Sequence, residues 1–141
     1  MCNFGISYSQ AAVPTIVPPE SFSVGTIFLG DYSETIFSDL SIWSQVEYEK
    51  HWRRSALDSA RTKEGTLFVS SLGYDSVSLW IGVISSDMIT FYNRFCEFAD
   101  LRIEGIKVAP AKSFSEFLGS PSPEWSSWTL PRQYLTCLTN R

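Results

Sequence analysis

The sequence predicts an α+β fold: an antiparallel sheet of about five strands, a hairpin plus a meander, packed by one main helix and closed by a short C-terminal helix. Three observations lead there. Strand-length runs rich in β-branched and aromatic residues recur, separated by short turns. A single stretch, LSIWSQVEYEKHWRRSAL, gathers helix-start signals ahead of a four-residue apolar recurrence. The chain has 141 residues without an internal repeat or linker tract, which fits one domain spanning 1–141 with a self-sufficient core.

The elements follow in order. Residues 1–20 read as an irregular N-terminal arm, because Pro14, Pro18 and Pro19 interrupt them; Phe4 and Tyr8 are its packing positions. SFSVGTIFLGDYSETIF then places Phe22, Val24 and Phe28 on one parity, with Thr26 between them. Gly30-Asp31 separates two apolar runs and suits a type II′ turn, so strands are expected at about 23–29 and 32–37.

A helix is expected at about 45–62. Ser44 and Glu47 have capping-box spacing, and Trp43 and Tyr48 can close across the start as a hydrophobic staple. Glu47 and Glu49 favour the N-terminal dipole, Arg61 and Lys63 the C-terminal one, and Gly65 is placed to end the helix. Glu49 and Arg53 form an i,i+4 pair. Tyr48, Trp52, Ala56 and Ala60, beside Ser55 and Ser59, make a stripe suited to lying on a sheet.

TLFVSSL, VSLWIGVI and MITFYNRF, joined by GYDS and SSD, read as the meander. The middle strand alternates Val77, Leu79, Ile81 and Val83 against Ser78, Trp80, Gly82 and Ile84, which puts Trp80 on the more polar parity. Beyond it, LRIEGIKVA reads as an edge strand broken at Gly105. Ser113 and Glu116 repeat the capping-box spacing before a short apolar run, and TLPRQYLTCL can begin a last helix at Thr129, with Pro131 in its first turn.

Apolar residues make up 44% of the chain and aromatics 15%, more rings than a small core requires, and exposed aromatics are what binding surfaces use. Net charge is −4, and it is uneven: residues 1–50 hold six acids against Lys50 alone. An acidic face repels nucleic acid and attracts a basic protein. Cys2, Cys96 and Cys137 form neither a zinc pattern nor an even disulfide framework. The start MCNFGISYSQ lacks signal-peptide character, and no run approaches the ~20 apolar residues of a membrane span. The expectation is a cytoplasmic protein with no metal, no cofactor and no direct contact with nucleic acid or membrane.

Reactive constellations are few. On a helix Glu47, His51, Ser55 and Asp58 share one side, but side chains on one straight face point outward in parallel, whereas a triad must converge on one point. There is no G-x-S-x-G turn, no calcium-loop spacing and no glycine-rich phosphate loop. Arg53-Arg54 is the one adjacent basic pair.

Taken in order, DYSETIF, LSIW, YEKHW, LFVSS, the Trp-bearing strand and the late Glu124-Trp125 pair resemble the immunity proteins of bacterial contact-dependent growth inhibition systems. The resemblance covers about residues 24–95 and, loosely, the tail, where Gly119–Pro123 and Pro131 depart from a straight closing helix. It implies a non-enzymatic cytosolic protein that binds and neutralises, one to one, the C-terminal toxin domain delivered by a neighbouring cell, commonly a basic nuclease. Within it Trp43, Tyr48, Trp52, Trp80 and Trp125 identify the fold. Contacts to the toxin are expected from exposed acids and aromatics at the hairpin and meander turns: Asp31, Glu34, Asp39, Tyr74, Asp75 and Asp87. Two rivals carry their own signatures. A small enzyme would use His51 with a nearby carboxylate. A ligand-binding module would need a pocket lined by Trp80 and Phe91.

Overall fold

The computed structural model describes residues 4–9 and 22–139. Cys2, Pro14, Pro18, Pro19 and Glu20 lie outside them. The α+β class holds, with every strand pairing antiparallel, one long helix and a short C-terminal one. The strands are more numerous than expected: nine among the described residues, in three sheets.

The first sheet is β1 (Phe4–Tyr8), β2 (Phe22–Leu29) and β3 (Tyr32–Asp39), in that order. β1 corrects the expected irregular arm at residues 4–8. Phe4 and Ile6 alternate inward there and pair opposite Leu29 and Ile27, so apolar periodicity outweighs the prolines that follow. The β2–β3 turn has Gly30 at φ +67 while Asp31 stays out of the positive region, the type II′ signature. Within β2 the buried parity is Gly25, Ile27 and Leu29. Phe28, on the Phe22–Val24–Phe28 parity, is 45% exposed.

Helix α1 (Gln45–Ser59) begins as expected: the Ser44–Glu47 capping box forms, and Trp43 meets Tyr48 edge-on at 5.2 Å. It ends earlier than expected, at Ala60, which is exposed and not part of the buried stripe. Gly65 is not its cap. It opens strand β4 (Gly65–Leu72), where a Cβ would strike the Phe114 ring and the Gly82 carbonyl. The intrahelical ion pair is Arg54–Asp58 at 3.1 Å rather than Glu49–Arg53.

β4, β5 (Val77–Ser85) and β6 (Met88–Cys96) form the expected meander, extended by β9 (Ser127–Pro131). β5 is buried on both faces. Trp80 looks toward the first sheet through Trp128, which in turn stacks on Tyr32 at 4.4 Å. On the other face Leu79 and Ile81 lie under Phe117 and Leu118. Phe4, Phe68 and Phe91 meet between the two sheets, with Phe4–Phe91 stacked at 5.4 Å.

Three further corrections concern the tail. LRIEGIKVA is a hairpin, β7 (Leu101–Glu104) and β8 (Lys107–Pro110), because Gly105 takes φ +62 in a two-residue turn. The Ser113 spacing does start a helix, α2 (Phe114–Leu118). Thr129 belongs to β9, not to a helix; α3 (Thr136–Thr139) begins only after a 3-10 turn at Arg132–Leu135. Finally, Cys96 is a free thiol but Cys137 is disulfide-bonded, against the expectation of no bridge.

Candidate functional site

The aromatic helix motif is a clasp. β4 is an edge strand, and an open edge must be covered or paired. Here α1 covers it with side chains. The Val69 N–H donates to His51 Nε2 (2.8 Å), Trp52 Nε1 donates to the Val69 carbonyl (2.7 Å), and the Leu72 N–H donates to the Tyr48 hydroxyl (2.8 Å). Tyr48 then donates to the Asp39 carbonyl at 2.5 Å. From β3, Ser38 adds a bond to the Ser70 carbonyl at 2.6 Å. The same helix holds the β7–β8 hairpin: Trp43 Nε1 donates to the Gly105 carbonyl (3.2 Å), and His51 Nδ1 bonds the Ile106 carbonyl (2.9 Å).

These bonds settle the state of His51. Nε2 accepts and Nδ1 carries the proton. The ring is fully buried, and burial pushes its pKa down to about 4, with the Ile106 carbonyl opposing the shift. The candidate triad does not converge. Glu47 caps its own helix through the Ser44 N–H, the Ser55 carbonyl accepts from Thr66, and Asp58 is bound to Arg54. No carboxylate stands within reach of either His51 nitrogen, because backbone groups occupy both. Trp80 and Phe91 do not share a pocket: they are 1% and 0% exposed, packed against Trp128, Phe4 and Phe68, and only Trp80 reaches a surface groove. Among the described residues, no group of three or more His, Cys, Asp or Glu is placed to hold a metal ion.

Trp43, Tyr48, Trp52 and Trp80 are all buried, while Trp125 is half-buried with the Arg94 guanidinium 3.8 Å over its ring. The six nominated contact residues are dispersed. Asp31 is exposed at the β2–β3 turn and Asp87 at the β5–β6 turn, where its carbonyl accepts from the Arg132 N–H. Glu34 is half-buried and accepts from Tyr32 (2.6 Å) and Asn93 (3.2 Å). Asp39 caps the turn after β3 through the Ser41 N–H. Tyr74 and Asp75 are exposed at the β4–β5 turn, with Tyr74 stacked on Phe98 at 6.0 Å.

Phe95, outside that set, brings two of its members onto one surface. Phe95, near the end of β6, is 74% exposed and Tyr74 is 72% exposed, the two most open large apolar residues described. Three surface concavities meet at Phe95; the one on the Leu79–Ile81 side, about 520 Å³, also takes in Arg94, Lys112 and Glu116, and the other two are acidic. One, about 570 Å³, is lined by Asp75, Ser76, Cys96, Glu97 and Asp100. The other, about 230 Å³, runs along β3 past Glu34, Phe37, Ser78 and Asn93. Neither lining contains a lysine or arginine. Burial pushes the Cys96 thiol up to about 12, and the charges of Asp100 and Glu97 add to that rise. Five of the bases lie on α1 or just after it, Lys50, Arg53, Arg54, Arg61 and Lys63, while Arg94 and Lys112 line the adjoining concavity. Of this surface the sequence nominated Glu34 and Asp75; Glu97 and Asp100 gave no signal, and Phe95 reads as one more strand residue.

Neither a protein-family model nor a curated protein matches the sequence. The fold does match a solved structure. Over 98% of its length the chain superimposes on 99% of a chain from the CdiA-CT/CdiI toxin and immunity complex of Enterobacter cloacae, with a TM-score of 0.72 and 18% identity. The two chains share a fold. The matched chain comes from the kind of complex that the aromatic motif order led us to expect. Among the described residues, no helix is long and apolar enough to cross a membrane.

Proposed function

We propose that this protein is the immunity partner of a contact-dependent growth inhibition toxin and neutralises it by stoichiometric binding rather than by catalysis. One observation carries the reading: the fold extends end to end over a chain of a toxin and immunity complex. The clasped, neutral His51 supports it, because the group best suited to acid–base chemistry is spent on holding β4 and the β7–β8 hairpin. The acidic first third and the two base-free grooves at Phe95 favour a basic toxin, and a nuclease is the natural basic class. Such a complex forms one to one in the cytoplasm of the recipient cell, without nucleic acid or membrane as a direct partner. Opposite potentials speed encounter and select orientation, while a few well-packed anchors set affinity.

The test is calorimetric titration of the purified protein with the toxin domain encoded immediately upstream of its gene, alongside an assay of that toxin's activity. One-to-one binding with loss of toxin activity is expected. Absence of binding overturns the proposal and leaves the likeness one of fold alone.

A further inference from the structure

We infer that the toxin docks on the double groove centred on Phe95, placing a lysine- or arginine-bearing segment against its ring. The inference rests on the proposed function and assigns it a surface. Phe95 stands 74% open near the end of β6, on the same parity as the fully buried Ile89 and Phe91, so its ring adds nothing to the core there. Its face is free for a cation, and aromatic faces attract guanidinium and ammonium groups. Phe37, 45% exposed, lines the second groove with it, which supplies apolar area beyond a single ring.

The charge around the grooves identifies the occupant. Glu34 is held in place by Tyr32 and Asn93, and Asp100 by the Glu97 N–H, so two of the four lining carboxylates are fixed before any partner arrives. Preorganised acceptors lose little freedom on binding. Arg94 and Lys112 line the neighbouring concavity that also reaches Phe95 and Asp100, but Arg94 is engaged over Trp125, and neither base lines the two acidic grooves. A second copy of this chain is a poor occupant, because a two-fold contact there would set Asp75, Glu97 and Asp100 against their own counterparts.

Three variants test the assignment against the toxin domain encoded upstream, by calorimetry and stopped-flow association: Phe95→Ala, the pair Asp75→Lys with Glu97→Lys, and Glu104→Lys as a distant control on the β7–β8 turn. These positions are exposed, and circular dichroism checks that each variant is folded. Phe95→Ala should weaken binding by roughly tenfold or more. The double reversal should slow association by roughly tenfold at low salt, with the difference shrinking as salt rises. Glu104→Lys should change neither by more than about twofold. If the wild type binds and both groove variants bind equally well, the surface assignment falls while the immunity reading stands. If the wild type does not bind, both fall. Sedimentation of the protein alone provides a further check: a dimer that Phe95→Ala dissociates would give the groove to self-association and overturn the inference.

Discussion

Acidification should destabilise this protein through one residue. His51 is the chain's single histidine, buried as the neutral ring between the Val69 N–H and the Ile106 carbonyl. Its pKa falls from 6.5 to about 4 on folding. Between those values the unfolded chain binds the extra proton, so the stability contributed is full above pH 6.5 and drains as pH falls through 4. The loss works out at about 2 kcal/mol by pH 5 and approaches ~3.4 kcal/mol below pH 4. Carboxylates titrate in the same range, so the informative quantity is the difference between wild type and His51→Phe. That variant is less stable at pH 7.5 because the Val69 N–H loses its partner, but it lacks the imidazole term. Urea titrations at pH 7.5, 6 and 5 should show the gap between the two closing by about 2 kcal/mol. Proton NMR of the one histidine ring gives the folded midpoint directly. A midpoint near 6.5, or parallel stability profiles, would refute the buried clasp.

Other perturbations address the remaining joints. Tyr48→Phe keeps the ring but strands the Leu72 N–H and the Asp39 carbonyl; it should lower the unfolding free energy in urea by about 1–3 kcal/mol. Arg132 donates to the Ser59 and Thr62 carbonyls, the latter at 2.7 Å, tying the C-terminal turn to the end of α1. Arg132→Ala should cost about 1.5–3 kcal/mol and lower the thermal midpoint. Ser44→Ala removes the cap of α1 and should cost about 1 kcal/mol, readable by chemical denaturation.

What could be read from the sequence was what is local. The start of α1 depends on residues one turn apart, Ser44 with Glu47 and Trp43 with Tyr48, and both contacts form. The Gly30-Asp31 turn is equally self-contained. Errors arose where distant residues decide. Thr129 has helix-start chemistry, but Thr90 pairs with it from β6, and a ladder with that strand outweighs a weak local preference. Gly65 resembles a cap because nothing nearby reveals that Phe114 will press on it. The β2 parity misled because apolar residues occupy both faces, and the first sheet buries Ile27 and Leu29 while leaving Phe28 open. The role of His51 was hidden for the same reason: its partners are 18 and 55 residues away. Of the candidate surface, Glu34 and Asp75 were legible as turn and hairpin acids, whereas Glu97 and Asp100 were not. Phe95 was not, since its exposure follows from a cross-strand partner as small as Ser78.

The most direct measurement is titration of the purified protein into the toxin domain encoded immediately upstream of its gene, with toxin activity followed in the same samples. The account predicts saturable one-to-one binding that abolishes toxin activity. Full toxin activity in the presence of excess protein would contradict it.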